Sequence, residues 1–411
     1  MRGAARPLAL AACAALAALS ALVGCPDVQT VAWERGPSDC AGLPAPAPWP
    51  TATPAELGLD GAALDGLAAR IERGELGNLH SLLVVRDGKL AFERYFPGRD
   101  AQWGHPLGRV EFGPETLHDL RSVTKSVVGA LVGIAHGDGS LPDLDAPLAS
   151  FFPERAKGHE ADLAGRTLRH ALSMSAGLAW DESSHPYWDP RNDENAMGRS
   201  DDPLAYALLR PAVAPPGAHF AYNGGLPTLL AGAVEKAAGV RLDRFAEERL
   251  FCPLGIARAE WVRYASGFFV AASGLRLRPR DMARFGQMML DDGRFAGRQI
   301  VPAAYARASL SRRVATRSEI ADGYGYLWWI VALPRDVAGG GDLPVAVGNG
   351  GQRIAVLRSA RLVVVTTAGA YDERDQHAGP RDAILAVLRA VAPAPGPPTT
   401  SDQGSRSRAA R

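Results

Sequence analysis

The chain has 411 residues, with 45 Lys+Arg against 44 Asp+Glu, a net charge of +1, 22% charged and 47% hydrophobic residues. That balance excludes a disordered chain, which carries fewer apolar residues and more net charge. It also excludes a dedicated nucleic-acid binder, whose basic excess attracts phosphates, and a polytopic membrane protein, because only one apolar run approaches about 20 residues.

That run stands first. Arg2 and Arg6 precede an apolar stretch, Leu8 to Val23, ending in Leu22-Val23-Gly24-Cys25. This is the layout of a bacterial secretion signal. The L-V-G-C ending resembles the lipobox of bacterial lipoproteins, whose Cys is lipidated and becomes the mature N-terminus. The expectation is a signal over residues 1–24, a lipid on Cys25, and an exported chain on the periplasmic or extracellular face of the cell envelope. An ordinary signal peptide or an uncleaved anchor is the alternative. Residues 25–55, with Pro44, Pro46, Pro48 and Pro50, read as a Pro/Ala-rich tether.

A globular body is expected over 56–391. Leu64, Leu67, Ala68 and Ile71 recur at helical spacing in Asp60 to Glu75. The runs Ser81 to Val85 and Leu90 to Phe96 flank Asp87-Gly88, a strong hairpin signal. The middle, about 141–310, carries helical pattern and loop. A second hairpin joins Ile354 to Leu357 with Leu362 to Thr367, and a helix follows at Arg381 to Val391. Strands at both ends and helices between them point to one sheet built from both chain ends, with a helical insertion. Residues 392–411 read as a disordered tail.

Three short elements carry chemistry. Ser122-Val123-Thr124-Lys125 opens an almost wholly apolar helix, so Lys125 lies one turn from Ser122 on the same face. Desolvation of Lys125 suits a proton acceptor, and helix-start N–H groups are available to an anion at Ser122. Tyr222 follows Pro215-Pro216-Gly217 in a loop, placed either to relay a proton or to pack that loop. Gly348-Asn349-Gly350-Gly351-Gln352 leads into a strand, where glycine permits close backbone approach or simply makes a turn.

Together, and in this order, the elements resemble the serine β-lactamase / penicillin-binding-protein superfamily, in its class C-like branch of esterases, D-amino peptidases and aminohexanoate-oligomer hydrolases. Ser81 to Gly88, Leu168 to Leu178, Leu277 to Gly286 and Gly323 to Trp329 look like that branch too. The resemblance implies an α/β (α+β) fold of β-lactamase type: an antiparallel sheet with flanking helices and an inserted, mostly helical subdomain. It makes Ser122 the acylated nucleophile, Lys125 its base and Tyr222 a partner in proton transfer. Asn349, Gly350 and Gly351 take the place of the K-T-G element, and the second oxyanion N–H comes from Gln352 or Gly351. The third-position Asn of the Y-x-N element is missing in Tyr222-Asn223-Gly224, as are the Lys and Thr of K-T-G. An esterase, amidase or peptidase acting on a small-molecule or peptide substrate is therefore favoured. The alternatives are a β-lactamase or D,D-peptidase, and a non-catalytic, penicillin-receptor-like binding lipoprotein.

Cys40 and Cys252 remain outside the signal, either paired or free. Neither H-E-x-x-H nor a close Cys/His cluster occurs, so no metal and no cofactor is expected. The lack of G-x-S-x-G argues against an α/β-hydrolase. Among the nine His, His170 reads as structural, and His219 as a pocket or surface residue. Trp180, Trp188, Trp328 and Trp329 are candidates to wall the cleft, with at least one of the last pair in the core. Asp181 to Glu194 reads as a solvated acidic loop. Oligomeric state has no sequence signal.

Overall fold

The structure, a computed structural model, describes residues 28–34, 40, 49–141 and 143–391. The apolar run, Cys25 and the tail 392–411 lie outside the described residues.

An eight-stranded antiparallel sheet dominates. Its order is Val314–Ala315, Gly323–Tyr324, Trp329–Leu333, Gly341–Gly348, Gln352–Leu357, Leu362–Ala368, Leu79–Arg86 and Lys89–Tyr95. The two chain ends meet where Val364 pairs with Val84. Leu79–Arg86 and Leu362–Ala368 are buried almost throughout, because helices cover both faces. Helix Pro279–Leu290 packs against Ile354 and Val363 through Gly286, whereas Ala378–Arg389 approaches the opposite face near Gly351 and Ala368. The Asp87-Gly88 turn has φ of 49° and 75°, the two positive values that a two-residue hairpin of this twist requires.

The middle of the chain is not wholly helical. A second antiparallel sheet runs Val28–Glu34, Arg258–Tyr264, Leu275–Leu277 and His118–Asp119. Its strands were hidden for two reasons. Two of them are very short, and Arg258–Tyr264 contains Arg, Ala and Glu, which favour helices in isolation. Val28–Glu34 falls inside the stretch expected to be a tether, yet it pairs along its whole length with Arg258–Tyr264. Residues outside a strand's own segment supply its partners, and local composition does not reveal them.

Cys40 and Cys252, 212 positions apart in sequence, form a disulfide with Cα atoms 5.5 Å apart. The bond ties the N-terminal arm to the short helix Cys252–Leu254. Replacing both by Ala should lower stability by about 2–5 kcal/mol, mainly through a freer unfolded chain. Urea unfolding of the oxidised protein and the double variant measures the difference, and unfolded, non-reduced protein should titrate no free thiol at these positions.

Candidate active site

The helix Val123–Gly137 runs through the core with every residue from Val123 to Ala135 buried. Its small residues explain the fit. A β-carbon on Gly129 would press the Tyr326 carbonyl, and one on Gly133 the Tyr305 ring. Ser122 is the residue before its first turn. Lys125, 2% exposed, places Nζ 3.0 Å from Ser122 Oγ and 3.1 Å from the Ala272 carbonyl, to which it donates. The Ala272 contact is the tie that aims Nζ along the helix start instead of outward to solvent.

Directly before Ser122, Arg121 has a φ of 48°, an unfavourable backbone for a residue with a side chain. An ion network holds it there. Asp119, fully buried, pairs with Arg121 at 3.0 Å and with Arg276 at 2.8 Å, and Arg276 also pairs with Glu260. The Arg121 guanidinium further lies over the Trp103 and Tyr371 rings at 4.8 and 4.7 Å.

Tyr222 comes from the loop ahead of helix Gly225–Ala238, whose start Asn223 caps by accepting from Gly225 N at 2.8 Å. The Tyr222 ring stacks on Trp329 at 5.4 Å and lies 4.9 Å from Lys125 Nζ. Burial, with the Glu182 charge adding, pushes its phenol well above 10, while a hydrogen bond with Ser122 pulls the other way. Ser122, Lys125 and Tyr222, far apart in sequence, thus converge.

They open into a cavity of about 800 Å³ lined by Ser122, Glu182, Trp188, Tyr222, Trp329 and Asn349 among others. A smaller one of about 290 Å³ adjoins it and reaches Lys125 and Glu194. Of the tryptophans, Trp188 and Trp329 wall the site, Trp328 is core, and Trp180 donates to Glu182 at 2.6 Å from behind. His170 belongs to a capping box at the start of Leu168–Leu172, and His219 is exposed.

The Gly-rich turn differs from the expectation. Gly350 and Gly351 have φ of 88° and 109°, so both are there for the turn. The Gly350 N–H donates to Gln376 and the Gly351 N–H to Gly348. Gln352 is fully buried, its side chain clamped on Ala368 from both amide ends. None of the three lines the cavity, and Asn349 alone of the turn reaches it. Among the described residues, the backbone N–H groups of Ser122 and Asn349 donate to no other protein group. Close packing brings this strand end up to the nucleophile. A β-carbon on Gly348 would strike the Leu120 carbonyl.

The acidic stretch is also not a solvated loop. Glu182 is 7% exposed and accepts from Gly224 N at 2.7 Å. A β-carbon on Gly224 would run into the Glu194 carboxylate. The two acids therefore fill the space beside the position where the Y-x-N element has its last side chain. Burial, reinforced by the Glu182 charge, raises Glu194 from an ordinary 4.5 to about 7, with Lys125 and Ser273 opposing. The folded state thus favours the protonated form. That stabilisation is complete below pH 4.5 and lost as pH rises through about 7. Glu194→Gln keeps the shape and removes the titration, so urea unfolding should show a shallower decline across that interval than in the wild type.

No sequence-adjacent ligands pointed to a metal, yet the fold also gathers His80, Asp100 and His118 into one buried cluster.

An antiparallel sheet with a helix-borne Ser/Lys pair beside a loop Tyr defines a class, and the comparisons place the chain within it. The beta-lactamase family profile matches residues 70–388, and the chain belongs to that family, as a hydrolase. It is 28% identical over 349 residues to 6-aminohexanoate-dimer hydrolase of Paenarthrobacter ureafaciens, covering 79% of this chain and 82% of that one. In fold it is similar to EstCE1, a hydrolase with promiscuous acyltransferase activity, with TM-score 0.62, 17% identity, and 81% and 98% of the two chains covered. It is likewise similar to a penicillin-binding protein homolog from Caulobacter crescentus, with TM-score 0.61, 17% identity, and 80% and 96% covered.

Proposed function

We propose that this hydrolase cleaves an ester or amide bond through an acyl-enzyme on Ser122. The observation that carries the reading is the 3.0 Å contact between Lys125 Nζ and Ser122 Oγ at the wall of the larger cavity. Lys125 takes the hydroxyl proton as Oγ bonds to the acyl carbon. The phenol of Tyr222, held protonated by burial, passes a proton on to the leaving alcohol or amine. The free amides of Ser122 and Asn349 receive the developing oxyanion. Water then attacks the acyl carbon, and Ser122 recovers its proton.

The resemblance to an aminohexanoate-dimer hydrolase supports amides among the substrates. The acids at the place of the missing Asn, and a turn without Lys or Thr, favour esters and open-chain amides over β-lactams. Export, with a lipid on Cys25, is part of the proposal. The Cys40–Cys252 disulfide supports it, because such bonds persist in oxidising compartments. Cys25→Ser should release the protein from the membrane fraction or block its processing.

The test is a fluorophosphonate probe followed by mass spectrometry, together with turnover of short-chain esters, D-amino peptides, an aminohexanoate dimer and a chromogenic cephalosporin. An adduct on Ser122 and turnover of an ester or amide are expected. An adduct on another serine refutes the reading, and cephalosporin turnover alone would favour the β-lactamase alternative.

A further inference from the structure

Three side chains unused by the proposed chemistry meet behind the nucleophile. His80 lies in Leu79–Arg86, Asp100 in Gly98–Gln102 and His118 in His118–Asp119. Each offers one ligating atom, and these atoms lie within 4.8 Å of one another. Both imidazoles are completely buried, and Asp100 nearly so. The Nδ1 atoms of both His80 and His118 are buried without a hydrogen-bond partner among the described residues. A buried polar atom left without a partner is destabilising, and two of them in one pocket point to an occupant.

The surroundings fit a cation. Nε2 of His80 is 3.0 Å from the Arg99 carbonyl and 3.2 Å from Asn78 Oδ1. The carbonyl can only accept, so Nε2 carries the proton and Nδ1 the lone pair. Nε2 of His118 is 3.3 Å from the Thr367 hydroxyl, which is 2.6 Å from the Ser81 hydroxyl. Imidazoles that ligate metals are held in this way through their other nitrogen. Phe112 stacks on both rings, at 3.9 and 4.8 Å, and keeps water from them. A surface cleft of about 890 Å³, lined by Gly98, Asp100, Ala101 and Tyr371, gives access from the carboxylate side.

We propose that His80, Asp100 and His118 bind one divalent cation of the Zn²⁺ type. Two imidazoles and a carboxylate match the N/O preference of Zn²⁺, whereas Ca²⁺ and Mg²⁺ require six or more oxygens or waters. The role is positional. His80 belongs to the large sheet and His118 to the small one, four positions before Ser122. A shared cation fastens the two sheets together at the base of the nucleophile.

The test uses the full chain stripped by chelator dialysis and titrated with Co²⁺, then with Zn²⁺. Stoichiometric Co²⁺ binding with visible d–d absorption, displaced by Zn²⁺, is expected. Asp100→Asn should lose that binding. Thr367→Val, which leaves all three ligands and removes the outer contact of His118, should weaken it by about 10–100-fold. Near-UV circular dichroism verifies that each variant is folded. Absence of stoichiometric binding by the wild type overturns the proposal, as does binding of unchanged strength in folded Asp100→Asn.

Discussion

Ser122→Ala is expected to abolish turnover, by a factor on the order of 10⁶, the scale found when the nucleophile of a cooperating set is removed. The substitution deletes one oxygen from a half-buried residue, so the thermal midpoint should barely move. Lys125→Met should be almost as severe. Met retains a long apolar stem in a position that is 2% exposed, which separates loss of the amine from loss of packing. The double variant should be no slower than either single one, because nucleophile and base act in the same step. The measurement is kcat/KM on the best substrate of the panel. A Ser122→Ala protein retaining wild-type turnover removes the mechanism altogether.

Tyr222→Phe should slow the reaction by about 10²–10⁴, the range of one acid–base group. Phe preserves the stacking on Trp329 and the ring face toward Lys125, so the loss isolates the hydroxyl. Because burial pushes the phenol well above 10, the role proposed for it is that of a proton relay and not of a standing phenolate. The deficit should fall on kcat with little change in KM, and it should persist at every pH at which the protein is folded. An unchanged kcat would leave Tyr222 as loop packing only.

Much of this was legible in the sequence. The Asp87-Gly88 turn announces itself, because few residue pairs accept two positive φ values in succession. Ser122 and Lys125 were readable because helical spacing alone places them on one face. Other parts were not. The strand Val28–Glu34 depends on a partner more than two hundred positions away. Glu182 and Glu194 look like any acidic loop until the packing turns them inward. Asn349, Gly350, Gly351 and Gln352 were readable as one candidate turn, but glycines mark where a chain bends without saying which residue faces a cavity, and Asn349 alone of them lines it. His80, Asp100 and His118 belong to strands of three separate sheets, and only the packing of those sheets brings them together.

The seam between the two chain ends governs how the molecule comes into being. Ser81 and Thr367, hydrogen-bonded across it, stand 286 positions apart. A chain emerging from its N-terminus makes the Leu79–Tyr95 hairpin early, yet that hairpin's inner edge has no neighbour until Leu362–Ala368 has been made. Such distant pairing is slow, with folding times toward the millisecond-to-second end of the range, and an unpaired apolar edge invites aggregation meanwhile. The helix carrying Ser122 packs on strands from the late half, Gly341–Gly348 and Gln352–Leu357. Activity in a refolding experiment should therefore return with the closing of the seam and not with the earlier growth of helical signal.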